Sequence, residues 1–186
     1  PDCPAVSAAN HGGVVTAMEY LLELGHRRIG FIGGRPDLQS AQQRFEGYQD
    51  ALARAGLPQD PDLIVVGDFT PETGHECARQ LLLLDERPTG ILAANDQSAF
   101  GAMAAAREMG LRIPKDLSVV GFDNIPEAAH SDPPLTTIDQ SVDKMGTVAV
   151  EMVIDLIQGR PLDDFLYTMP TELVIRDSCR AVEASA

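Results

Sequence analysis

The 186-residue chain has no tryptophan, three cysteines, few aromatic residues, and no apolar run long enough to cross a bilayer. It opens without a charged-then-apolar leader, an absence that speaks only for these residues. Cys3, Cys77 and Cys179 are odd in number and widely scattered, which fits a reducing cytoplasm better than a disulfide framework. No Cys-x-x-Cys or His-x-x-x-His pair seeds a metal site. His75 and Cys77 flank Glu76 in a helical stretch and so point to different faces, and neither a metal nor a cofactor is expected. Basic residues are scarce: 14 Lys and Arg stand against 28 Asp and Glu, a formal net charge of −14. That argues against a nucleic-acid surface on these residues and leaves a solvated acidic exterior. The loops of common enzymes are missing too. There is no G-x-x-x-x-G-K-[ST] and no G-x-S-x-G, and the first strand gives Gly30-x-x-Gly33-Gly34 rather than the G-x-G-x-x-G that lets a backbone approach a pyrophosphate.

What the chain does have is rhythm. Its composition, 44% hydrophobic and 23% charged, is that of an ordinary globular protein, long enough for one good-sized domain or two small ones. Helical spacing over 13–24 (Val14, Met18, Leu21, Leu22) stops at Gly25 and leads into the apolar strand "RIGFIGG". A helix over 40–55, with Phe45, Tyr48 and Leu52 on one stripe, ends at Gly56. The strand "LIVV" (63–66), a helix over 71–84, a strand over 91–94, a helix over 96–109 before Gly110, and the strand "SVVGF" (118–122) follow. Short all-apolar strands alternating with helices predict a doubly wound parallel α/β sheet covered on both faces. After Phe122 the rhythm breaks. "DPPLTTIDQ" (132–140) reads as an extended crossover, 142–158 as an amphipathic helix packing elsewhere and stopped by Gly159 and Pro161, "TELVIR" (171–176) as a last strand, and 181–186 as a frayed tail.

In a parallel sheet ligands bind in the crevice outside the carboxyl ends of the strands. The residues after each strand therefore matter. They are Ser40 and Arg44 beyond "GFIGG", Asp68 and Phe69 beyond "LIVV", Asn95 and Asp96 beyond "ILAA", and Asp123 and Asn124 beyond "VVGF". Each has a plainer reading. Ser40 with Gln43 forms a capping box, Asp96 suits the N-cap of the next helix, Asn124 can cap the turn at Pro126, and Phe69 can cover the sheet edge. Arg44, four residues beyond Ser40, shares a stripe with Gly47 and Ala51 and needs an anionic or multi-acceptor partner there. Asp123 can be that partner, in a ligand site or in a structural salt bridge. Asp96 and Asp123 could also form an acid/base pair for glycoside chemistry, but nothing nearby is apolar enough to raise one of them selectively.

The series "LLELGHRRIGFIGG", "SAQQRFEGYQDAL", "ILAANDQSAFGAM", "LRIPKDLSVVGFDN", "PPLTTIDQ", "MGTVAVEMVIDLIQG" and "PTELVIRDS" closely resembles the bacterial lactose-repressor-like (LacI/GalR) transcription regulators. It matches their effector-binding domain, itself similar to periplasmic sugar-binding proteins, from about residue 4 to 179. The resemblance implies that 1–9 end an N-terminal lobe and make the first crossover, 10–138 form a C-terminal effector lobe, 139–168 cross over and return a helix, and 169–180 hold the last strand. The head of such regulators, a helix-turn-helix and hinge helix, lies outside these residues. Effector contacts carried over by motif fall on Ser40, Arg44, Phe69, Asn95, Asp123 and Gln140. The first crossover supplies Asn10, but Ala9 where many members have aspartate, which implies an effector other than a simple hexose. Asp96, at the corner itself, completes the expected set.

The leading expectation is a cytoplasmic repressor's sensing domain that binds a small polar metabolite, a sugar or derivative, and controls operator DNA through the head. It needs no catalytic residue, no cofactor and no membrane. The alternatives are a periplasmic solute-binding protein, favoured by a leader on the full gene, and a glycoside-processing enzyme. Helix 96–109 is apolar almost all round, so homodimerisation is expected through Phe100, Met103 and Ala104, against the alternative of burial within the monomer. The helix 142–158 would lack the sheet it normally covers. Val148, Met152 and Leu156 are therefore expected to find another partner, by displacement of the helix, docking on a second copy or poor order.

Overall fold

A computed structural model describes residues 3–162 and 164–182. Among the described residues, eight strands and five α-helices follow one another as β1 (Ala5–Ala8), α1 (Asn10–Glu23), β2 (Ile29–Gly33), α2 (Gln39–Arg54), β3 (Ile64–Val66), α3 (Pro71–Leu82), β4 (Gly90–Ala93), α4 (Asp96–Glu108), β5 (Ser118–Asp123), β6 (Thr136–Asp139), α5 (Val142–Ile157), β7 (Leu166–Met169) and β8 (Glu172–Val174). The main sheet runs β3-β2-β4-β5-β6-β8, its first five strands parallel and β8 antiparallel to β6. β1 and β7 pair in parallel as a separate two-stranded sheet.

The inner strands β2, β4 and β5 are almost wholly apolar because helices cover both their faces. Phe31, Leu92, Val120 and Phe122 point toward α1 and α2, where Val14, Met18, Leu21, Tyr48 and Leu52 meet them. Their neighbours Ile32, Ile91, Ala93 and Val119 point the other way, onto Leu81 of α3 and Ala102, Ala105 and Ala106 of α4. Each large side chain buried this way contributes about 1.5–3 kcal/mol. α3 and α4 touch backbone to backbone. A Cβ on Gly101 would sit 2.1 Å from the Pro71 carbonyl oxygen, and one on Gly74 would sit 2.5 Å from that of Ser98. The helix stops read at Gly25, Gly56, Gly110 and Gly159 all take positive φ.

Three expectations need correction. Residues 132–140 are not merely an extended crossover: Thr136–Asp139 is the fifth parallel strand. Its buried hydroxyl residues hid it, and each hydroxyl is satisfied within the fold: Thr136 Oγ1 accepts the Arg176 N–H at 3.0 Å, and Thr137 Oγ1 donates to Asp96. β1 and β7 were not read as strands at all, being four residues each and mostly half-buried or exposed. Finally, α5 is a regular helix that buries no residue fully: Met145, Val148, Ala149 and Met152 are half-buried, while Val150, Val153, Ile154, Leu156 and Ile157 stay exposed. Of the tail, the Val182 N–H donates to the Leu24 carbonyl at 2.8 Å, and 183–186 lie outside the described residues, as do residues 1–2 of the expected first crossover.

Candidate ligand-binding site

The chain passes from β2 out to β3 and returns to β4 on β2's other side, so strand order reverses between β2 and β4. Such a switch point opens a crevice at the strand ends. Arg44 stands there, in the second turn of α2, and is 5% exposed. Its Nε donates to Asn10 Oδ1 at 2.9 Å, and its Nη1 donates to the Ala94 carbonyl and, at 3.4 Å, to Asp123 Oδ1. The guanidinium carbon lies 3.7 Å from the centre of the Phe122 ring and 5.9 Å from that of Phe69. A cation taken out of water needs such acceptors and ring faces.

Around it the remaining polar groups are mutually engaged. Gln140 Nε2 donates to Asp123 Oδ1 at 2.8 Å, and Asn10 Nδ2 donates to Gln43 Oε1 at 3.2 Å and to the Ala8 carbonyl at 3.1 Å. Burial pushes the Asp123 carboxyl up to about 6 although Arg44 pulls it down. Two hollows flank this network. One of about 250 Å³ is lined by Ser7, Asn10, Gln39, Gln43 and Thr168, and another of about 420 Å³ by Asp123, Asn124, Asp139, Ser141 and Lys144. Phe69 forms part of the rim with a left-handed backbone, φ 74°. Its ring occupies the space a Cβ on Gly34 would need, 2.0 Å away. Asn95 fixes that rim: its Nδ2 donates to the Phe69 carbonyl at 3.0 Å while its Oδ1 accepts the Ser98 N–H at 2.9 Å.

Residues 18–179 match the model of the periplasmic binding protein-like domain. The chain belongs to that family. It is 40% identical over 181 residues to the HTH-type transcriptional repressor CytR of Escherichia coli (strain K12), an alignment covering 97% of this chain and 53% of the repressor. Among solved structures it superposes on the transcriptional regulator CelR in complex with cellobiose (TM-score 0.89, 34% identity, 96% of this chain and 55% of that one). It also superposes on the lac repressor dimer bound to operator and the anti-inducer ONPF (TM-score 0.88, 34% identity, 95% and 60%). The chain thus spans about half the length of the curated repressor it matches.

Within this periplasmic-binding-protein-like domain, Asn10, Arg44, Asp123 and Gln140 come together as one network, with Phe69 on its edge. Ser40 is near but half-buried, and the capping-box reading fails: Leu38 is the N-cap of α2, and no side chain caps it. Asp96 is not the N-cap of α4, which is Asn95, nor does it line the crevice. It is fully buried, accepting the Ile125 N–H at 2.9 Å on Oδ2 and Thr137 on Oδ1, and burial pushes it up to about 6. That also removes the Asp96–Asp123 acid/base pair, since Asp96 meets no substrate. Asn124 caps nothing at Pro126; its Oδ1 accepts from Arg176 Nη2 at 2.7 Å. The reading from sequence missed Gln43 as a crevice residue because the capping pattern already explained it, and missed Phe122 as the ring under Arg44 because a strand's inward residue reads only as core.

The outer face of α4 is narrower than its composition suggested. Met103 is 4% exposed, packed in the core beneath α3, and so is not available as an interface residue. Phe100 and Ala104 are half-buried. Phe100 lines a shallow hollow of about 450 Å³ with Gln97, Pro126, Glu127, His130 and Ser131.

Proposed function

We propose that this chain is the effector-sensing domain of a bacterial transcriptional repressor, taking a small polar metabolite, a sugar or sugar derivative, in the crevice at the strand ends. The observation that carries the reading is the state of Arg44. It is nine-tenths buried at the switch point, and Nε and Nη1 are held within the fold while Nη2 has no acceptor among the described residues. A ligand oxygen beside Nη2 would gain a charge-assisted hydrogen bond of about 1.5–3 kcal/mol, with Asp123 and Asn10 beside it for hydroxyls. Phe69 supplies an apolar rim for a ring.

The kinship supports the same reading. CytR is a repressor, CelR was solved with cellobiose, and the lac repressor was solved on operator DNA. In this chain the acidic charge leaves operator contact to a helix-turn-helix elsewhere in a longer protein, acting in the cytoplasm as a homodimer. The role is binding rather than catalysis: ligand favours one arrangement of the domain and so biases the DNA-bound state. The test is a melting screen of the full-length protein against mono- and disaccharides, cellobiose included, followed by calorimetry and an operator mobility shift. A sugar that raises the melting temperature should bind at least tenfold more weakly to Arg44→Ala and alter the mobility shift. If no sugar raises it, or if Arg44→Ala binds the hit equally well, the crevice reading is wrong.

A further inference from the structure

Asp123 and Asn124, the turn that carries the crevice carboxylate, both have left-handed backbones, φ 124° and 57°. Non-glycine residues in that region cost free energy and persist only where their surroundings over-determine them. Two residues outside the ligand network supply that constraint from different elements. Asp96, at the first turn of α4 and fully buried, accepts the N–H of Ile125, the residue directly after the turn, at 2.9 Å, while its other oxygen is anchored on Thr137 of β6. Arg176, just beyond β8, donates from Nη2 to Asn124 Oδ1 at 2.7 Å and from Nη1 to the Leu135 carbonyl at 2.7 Å, and its own N–H donates to Thr136 Oγ1 at 3.0 Å. The turn therefore has a backbone tether on α4 and a side-chain tether on the C-terminal segment.

We propose that Asp96 and Arg176 are positioning residues for the crevice: they hold turn 123–124 in its left-handed form and so set where the Asp123 carboxylate points. Neither touches the ligand. The inference rests on the crevice being the ligand site, but its consequences are readable on Asp123 with no ligand present, so the two ideas fail separately. It also gives the C-terminal segment a direct hold on the crevice, because any shift of β8 pulls on Asn124 through Arg176.

The experiment follows two NMR signals in the ligand-free chain: hydrogen exchange at the Ile125 amide, and the titration of the Asp123 side-chain carbon. The groups facing Asp123 are Arg44, Gln140, Asp96 and, across the β5–β6 register, Asp139. Asp96→Ala and Arg176→Lys should each speed Ile125 exchange at least tenfold and bring the Asp123 midpoint down from about 6 toward the ordinary carboxylate range, as the turn relaxes into water. Asp96→Asn, whose amide oxygen can still accept from Ile125 and whose NH2 can face Thr137, should leave both signals near the parent values. Adding Asn124→Gly to Arg176→Lys should restore the Asp123 midpoint, because glycine takes the left-handed form without strain. A purely structural arginine, holding only Leu135 and Thr136, would not be rescued at residue 124. If Asp96→Ala does not fold, Arg176→Lys and its glycine rescue decide. Folded variants in which Asp123 titrates as in the parent, or an Asp96→Asn that is as damaging as alanine, overturn the proposal.

Discussion

Replacing Asp123 by asparagine keeps its shape and an acceptor oxygen and removes its titration together with the charge facing Arg44, a loss that is the same at every pH where the carboxylate is ionised. Burial raises the carboxyl to about 6 in the fold, against about 3.9 in an unfolded chain. The fold therefore binds a proton more tightly than the unfolded state does. Its contribution to stability is fully present below about pH 4 and is lost as the pH rises through about 6. Integrating the linkage between these two values gives roughly 1 kcal/mol more stability at pH 5 than at pH 8, and roughly 2 kcal/mol at pH 4. Urea unfolding of the parent and Asp123→Asn across pH 5–8 isolates this. Asp96 and His26 titrate in both chains and cancel in the difference, apart from a small lowering of Asp96 once the neighbouring charge is gone. The parent should gain roughly 1 kcal/mol on the variant as the pH falls from 8 to 5. A difference that stays constant, or grows the other way, would mean that Asp123 is solvated and that the closed network around it does not exist. The same titration bears on binding. The ionised carboxylate accepts from ligand hydroxyls more strongly than the neutral acid does, so a sugar bound here should weaken as the pH drops below 6.

Gly101→Ala should destabilise the chain by about 3 kcal/mol in the same assay, because its methyl would meet the Pro71 carbonyl at 2.1 Å and force α3 off α4. His26 is buried, with Nδ1 on Thr89 Oγ1 at 2.8 Å and Nε2 on Ser118 Oγ at 3.0 Å; burial lowers its pKa despite the Arg180 carbonyl beside it. Folding thus favours the neutral ring: this contribution is present above pH 6.5 and is lost as the pH falls below it, and ¹⁵N shifts should show a mostly neutral imidazole at pH 6.5. Phe100→Glu should convert a dimer to a folded monomer in sedimentation velocity; a parent that is monomeric at high concentration removes α4 as the interface.

The doubly wound core was legible because its signal is local. Apolar strands, glycine stops and helix stripes lie within a dozen residues of one another, and the structure places α1–α4 and β2–β5 within three residues of where periodicity put them. What escaped depends on partners far away in the chain. Thr136 and Thr137 look too polar for a central strand until Arg176 and Asp96, 40 and 41 residues distant, bond to their hydroxyls. Helix 96–109 is apolar on every side, so composition could not say which side is core. The approach of Gly74 and Gly101 decides it by laying α3 over Met103 and leaving Phe100 and Ala104 at the outer edge.

The candidate site shows the same division more sharply in Asn95 and Asp96, adjacent residues at one corner to which sequence alone assigns a ligand contact and an N-cap in the wrong order. A side chain just before the helix can reach back to the Ser98 N–H, and Asn95 does so, using its other end to fix the Phe69 rim. The next residue is already helical and turns toward β6, so Asp96 is swallowed and its carboxylate holds the turn bearing Asp123. One corner thus fixes two walls of the crevice without offering the ligand a contact from either side chain that is not already engaged. The groups proposed to meet a ligand come from other elements: Arg44 of α2 and Asp123 at the end of β5, 79 residues apart in the chain, are brought together across the end of β4.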